Sequence, residues 1–154
     1  MEVINMNLEQ LTLDVEQTTE IKADIGDVFK RTLHRLGEGN TTPDGTSLNM
    51  ILEEWAGGRW FRDRGEGIQH LWGHVQVIKP PTLIELSGPM FMSYPAINHL
   101  ELKLEKVSGG TSVTLRHRAI GMISDDHRTG IGEGWKNILE MLKADFPEAA
   151  KAIS

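Results

Sequence analysis

VTLRHRAIGMISDDHRTGIGEGWKNILEMLKADF, residues 113–146, contains the change of period that decides the fold. Its first part alternates. Val113, Leu115, His117 and Ala119 share one parity and Thr114, Arg116 and Arg118 the other, the two-residue repeat of a half-buried strand. Its last part steps by three and four, with Trp135, Ile138, Leu139, Leu142 and Phe146 against Lys136, Asn137, Glu140 and Lys143. That is the stripe of a long amphipathic helix, running to Pro147, with Ser124 or Asp125 placed to cap it. A strand with one apolar face and a helix with one apolar stripe bury both by packing sheet on helix.

Upstream, the strand pattern repeats. Gly109-Gly110 makes a tight turn after Leu100, Leu102 and Leu104, which alternate with Glu101, Lys103 and Glu105. Leu83 to Ser87 reads as a short strand. Leu71, Gly73, Val75 and Val77 share the parity of a strand that stops at Pro80-Pro81, and His70, Trp72 and His74 share the opposite parity. Met50, Ile51, Leu52 and Trp55 before Gly57-Gly58, with Trp60 and Phe61 after, predict a hairpin or a bulged, sharply bent strand pair. At the start, Leu11, Leu13 and Val15 alternate with polar residues. Asp24 then caps a helix bearing Ile25, Val28, Phe29, Leu33 and Leu36 and stopping at Gly37, and residues 38–47 read as a loop. The predicted fold is α+β: a curved antiparallel sheet of six or seven strands wrapped around the C-terminal helix, with a short helix after the first strand. A curled sheet meets such a helix over part of its concave face, leaving room for a ligand cavity.

Composition narrows the function classes. The 154 residues suit one domain, read as 9–146 between tails 1–8 and 147–154. Sixteen basic against twenty-two acidic residues, a net charge of −6, argue against nucleic acid as a partner. With no cysteine, disulfides, thiolate metal sites and cysteine nucleophiles are excluded. No apolar run reaches membrane-spanning length and the N-terminus lacks the pattern of a signal peptide, so a cytoplasmic protein is expected.

Several segments together resemble a known family: Glu54 to Phe61 in the turn region, Gly73 to Val77 running into Pro80-Pro81-Thr82-Leu83, Thr114 to Arg118, and Gly134 to Leu139 opening the last helix. In order and spacing the chain resembles the SRPBCC superfamily (START-like, birch-pollen-allergen-like) over residues 9–146. Within it the sequence is similar to the C-terminal domain of the activator of the ninety-kilodalton heat-shock protein ATPase. The resemblance implies a helix-grip fold around a deep pocket, in a group that includes lipid and hormone binders, cyclases and aromatases.

The leading expectation is therefore binding of a small apolar or amphipathic molecule. The expected lining is Met50, Leu52, Trp60, Leu71, Val75, Met90 and Phe91, with Leu100, Leu102, Leu115, His117, Trp135, Ile138 and Leu142. His117 is either a core histidine bonded to a carbonyl or to a carboxylate such as Glu54, or the polar group of the pocket. A cyclase- or aromatase-like enzyme using His117 with Glu54 or Tyr94 is the alternative. A chaperone-activator-like protein interaction is a third reading, weakened because a separate binding domain has no room here. By parity Glu54 turns inward, with Arg62 as a counter-charge. His70 and His74 stand about 13 Å apart along a strand, too far to share an ion, and no metal or cofactor is expected. Asp125-Asp126-His127 reads as helix cap, and Gly130, Gly132 and Gly134 as a close approach of helix to sheet. The loop Gly88 to Pro95, rich in Met and aromatic residues, either plugs one end of the sheet as core, forms a pocket rim, or belongs to a homodimer surface; the rim is the favoured reading.

Overall fold

The alternation read in the sequence becomes direct cross-strand pairing. In a computed structural model, which describes residues 7–147, β6 (Ala96–Val107) and β7 (Gly110–Gly121) pair antiparallel through the Gly109-Gly110 turn. Leu100 faces His117, Leu102 faces Leu115 and Leu104 faces Val113, and all six are essentially without solvent exposure. β1 (Thr12–Ile21) pairs with β7 along its whole length, although about a hundred residues separate them.

The remaining strands are β2 (Met50–Leu52), β3 (Arg59–Asp63), β4 (Gln69–Lys79) and β5 (Leu83–Gly88). The sheet has seven strands in the order β1-β7-β6-β5-β4-β3-β2, antiparallel throughout. A single turn, α1 (Leu8–Leu11), precedes it; Leu11, expected to open the strand, instead ends this turn, held by the Asn7–Gln10 capping box. α2 (Ile25–Leu36) starts on the Asp24 cap and ends at Gly37. α3 (Asp125–Ala144) starts on Ser124, whose hydroxyl accepts from the His127 backbone N–H, and buries Ile131, Trp135, Leu139 and Leu142 against the sheet. Apart from Asn7, Leu8 and Pro147, the expected tails 1–8 and 147–154 lie outside the described residues.

β4 departs from simple parity. Trp60 pairs with Gly73 but Phe61 pairs with Leu71, so Trp72 is an extra residue; Gln76 is a second one opposite β5. The first bulge turns Trp72 inward, where it is 8% exposed, and leaves Leu71 on the outer face at 42%. Leu71 therefore does not share the inner face with Val75, and Trp72 does not share a face with His74, which is exposed. At Gly73 a Cβ would stand 2.4 Å from the Ser87 carbonyl oxygen, so only glycine lets β4 and β5 approach there.

An ionic clamp joins the two long helices. Asp145, just past α3, accepts from Arg35 Nε (2.8 Å) and Nη2 (2.7 Å) and from Arg31 Nε (2.9 Å), both on α2. Burial works against ionisation of Asp145, but the two guanidiniums outweigh it and hold its carboxyl below the ordinary value. A carboxyl whose pKa is lowered on folding adds stability above the unfolded value and loses it as pH falls through the folded one. Asp145→Ala is expected to lower unfolding free energy by about 1–3 kcal/mol at neutral pH. In urea titrations, that difference should shrink as the pH drops below about 4.

Candidate functional site

The inner face of the sheet is largely filled by its own side chains. Trp60, Leu100 and Leu115 are wholly buried, and Met90, Leu102 and Leu142 are 1% exposed. Val75 joins them, and Ile138 packs against the same core half-buried. The Trp60 indole N–H donates to the Leu36 carbonyl of α2 at 2.8 Å. These residues were expected around a deep pocket, and they close on one another as the core instead.

Within this core runs a chain of hydrogen bonds. Trp135 Nε1–H on α3 donates to His117 Nδ1 on β7 at 2.9 Å, and His117 Nε2 lies 2.6 Å from Asn98 Oδ1 on β6. Because Nδ1 accepts, Nε2 carries the proton and donates to Asn98. The Asn98 amide in turn donates to the carbonyls of Gly88 (3.2 Å) and Pro89 (3.1 Å). The partner of His117 is thus an amide rather than Glu54. Burial depresses the His117 pKa to about 4, and both ring nitrogens are spent inside the protein.

Glu54 lies just beyond β2 and is exposed, beside a cleft of about 250 Å³ between α2 and β2 that Met50 and Leu52 also line. Parity ends there because β2 stops at Leu52. No Glu54–Arg62 pair forms: Arg62 Nε donates to the Leu48 carbonyl, and the ion pair across the hairpin joins Glu53 to Arg59 at 2.8 Å, which lowers the Glu53 pKa to about 2. Tyr94 likewise stays apart from His117 and bonds to His127.

Another cleft opens beside the first half of α3. A cleft of about 300 Å³, with a wall almost wholly of carbon, is bounded by Phe91, Asp126, His127, Gly130, Ile131, Gly134 and Trp135. Of the expected lining, Phe91 and Trp135 reach it. The Gly88–Pro95 loop divides accordingly: Met90 and Met92 are buried core and Phe91 is half-buried at the rim. The Trp135 N–H is turned away to His117, so its ring offers only carbon to the cleft.

Close packing does not require the helix glycines. A Cβ built on Gly130 or Gly134 meets no atom within 4 Å, and one on Gly132 meets only the Gln17 amide nitrogen at 3.9 Å. Gly130 and Gly134 are four apart, one turn along the same face as Asp126, and they leave that face bare. The sequence holds this signal in the spacing of His127, Ile131 and Gly134-Trp135, on the side of α3 facing the loop.

At the mouth, Tyr94 Oη lies 2.6 Å from His127 Nδ1 and accepts the Ser124 backbone N–H at 3.3 Å. Edge-to-face contacts continue inward from His127 to Phe91 (5.1 Å), from Phe91 to Trp72 (5.5 Å) and from Trp72 to Trp60 (5.2 Å). The Trp72 indole N–H is buried with no partner among the described residues. Among those residues no group of three His, Asp or Glu is arranged to hold a metal ion, and no helix is long and apolar enough to cross a membrane.

A curved seven-stranded sheet closed over one long terminal helix is the helix-grip architecture of SRPBCC-type proteins. The chain belongs to the family described as activator of Hsp90 ATPase homolog 1-like protein, whose model matches residues 43–146. No curated protein matches it. Among solved structures it is similar to an uncharacterised protein from Rhizobium leguminosarum, at 16% identity and a TM-score of 0.68, over 86% of this chain and 93% of that one. Protein CV1439 from Chromobacterium violaceum matches at 14% identity and 0.65, over 86% and 96%. The di-domain ARO/CYC StfQ of the steffimycin biosynthetic pathway matches at 12% and 0.64, over 90% of this chain and 52% of that one. At these identities the likeness is one of fold.

The neutral His117 ring makes a measurable prediction. Its pKa is lower folded than unfolded, so the unfolded chain takes up the extra proton and stability falls as pH drops from about 6.5 to about 4. His117→Gln removes the titrating group. Across that window the wild type should lose about 3 kcal/mol more than the variant in denaturant titrations. Parallel curves would show that His117 is not held neutral.

Proposed function

We propose that this chain binds a small, largely apolar molecule in the cleft between the first half of α3 and the 88–95 loop. The observation that carries this reading is the pair of glycines, Gly130 and Gly134, whose missing side chains keep the cleft wall open. Glycine inside a helix costs up to about 1 kcal/mol relative to alanine, and no packing contact at either position requires it. Preserving space for a ligand accounts for both.

Size limits the occupant. A cavity of about 150 Å³ accommodates a benzene ring, so about 300 Å³ suits a bicyclic aromatic or a molecule of that bulk. Phe91, Ile131 and Trp135 present apolar surface to it, and His127 and Asp126 supply the side-chain polar atoms. The cyclase- or aromatase-like alternative draws support from the StfQ fold likeness, but His117, Glu54 and Tyr94 do not converge here. The protein-interaction reading rests on the family name.

Substitutions at the glycines separate ligand binding from folding. Gly130→Ala and Gly134→Ala should each raise stability by roughly 0.5–1 kcal/mol, since neither added methyl meets a neighbour. Gly130→Leu and Gly134→Leu should fill the cleft and weaken binding of 2-acetonaphthone, followed by isothermal titration calorimetry, at least tenfold while the protein stays folded. Undiminished binding in both leucine variants would overturn the assignment of the site.

A further inference from the structure

One polar side chain that lines the cleft, His127, is tied by a short hydrogen bond to Tyr94. Tyr94 Oη already accepts the Ser124 backbone N–H, and no other acceptor for its own proton is found among the described residues. The arrangement that uses every group has Tyr94 O–H donating to His127 Nδ1, at 2.6 Å. His127 Nδ1 is then an acceptor, and the ring proton sits on Nε2. That nitrogen makes no hydrogen bond to protein among the described residues, and His127 is one of the residues that line the cleft. Ring rotation is restrained by the Tyr94 bond, by the edge-to-face contact with Phe91, and by the tie from the His127 backbone N–H to Ser124.

No other side chain of the wall supplies such a donor. Trp135 spends its indole N–H on His117, Phe91 and Ile131 have none, Gly130 and Gly134 are bare helix backbone, and the Asp126 carboxylate accepts. Resting on the ligand-binding reading above, the geometry points to His127 as the specificity-determining residue of the cleft. Its Nε2–H selects planar aromatic ligands that carry an acceptor oxygen of the ketone or quinone class. Tyr94 is the positioning residue that fixes the tautomer. Ligands of the same shape without that oxygen leave the N–H facing carbon, losing a hydrogen bond that water would otherwise provide.

The test compares 2-acetonaphthone with 2-isopropenylnaphthalene, a hydrocarbon of nearly the same shape, by isothermal titration calorimetry on the full chain. The wild type should prefer the ketone by roughly five- to tenfold. His127→Phe keeps ring bulk against Phe91 and should bind both compounds with equal affinity. Tyr94→Phe should reduce the preference, and in the wild type a long-range proton–nitrogen spectrum should place the His127 proton on Nε2. Equal wild-type affinity for the two compounds, or a proton on Nδ1, overturns the selectivity assignment and leaves the cleft reading standing. If neither compound binds, the cleft reading fails and this inference with it. The wild-type comparison needs no variant, so its outcome does not depend on the variants folding.

Discussion

One buried hydrogen-bond chain ties the elements around the site to one another: Trp135 on α3 to His117 on β7, to Asn98 on β6, to the carbonyls that start the 88–95 loop. Each polar atom in it would be costly alone in an apolar core, and each is satisfied only when helix, two strands and loop are in register. The loop cannot slide along the sheet without breaking the Asn98 bonds, and α3 cannot rotate without removing the Trp135 donor. The neutral imidazole is required because Nδ1 must accept, so burial and hydrogen bonding favour the same state.

That constraint also bears on where the candidate cleft lies. With Trp60, Leu100, Leu102 and Leu115 packed under the middle of the sheet, the concave face is solid where helix and strands meet most closely. α3 keeps its bulky inward residues toward its second half and carries glycines in its first, so the gap falls at the N-terminal end of the helix. The 88–95 loop closes one side, anchored by buried Met90 and Met92, with Phe91 on the rim. An aromatic series from Trp60 through Trp72 and Phe91 to His127 links that rim to the core.

Much of the fold was legible along the chain. Period-two runs in β1, β6 and β7, the caps Asp24 and Ser124 and the stop at Gly37 depend on near neighbours, and they appear where the pattern places them. Legibility failed where the strands are irregular. The extra residues at Trp72 and Gln76 shift the faces of β4, because a bulge is set by how two strands twist past each other. Glu54 lost its expected orientation because β2 ends before it. At the candidate site, Phe91 and Trp135 were anticipated; His127, Gly130 and Gly134 were assigned to capping or packing and Ile131 was not singled out, since the loop opposite them is remote in sequence.

By itself, then, the sequence determined the class of fold, the strand and helix order and most of the core, because hydrophobic period and turn chemistry act over a few residues. Only the tertiary structure decided which polar groups meet. His117 could have bonded to several acceptors, and its pairing with Asn98 and Trp135 depends on the β6–β7 register and on the rotation of α3. The same holds for Tyr94 and His127, 33 residues apart, which meet because loop and helix pack at one end of the sheet. A short-range pattern carries no information about such contacts; the space between packed elements does.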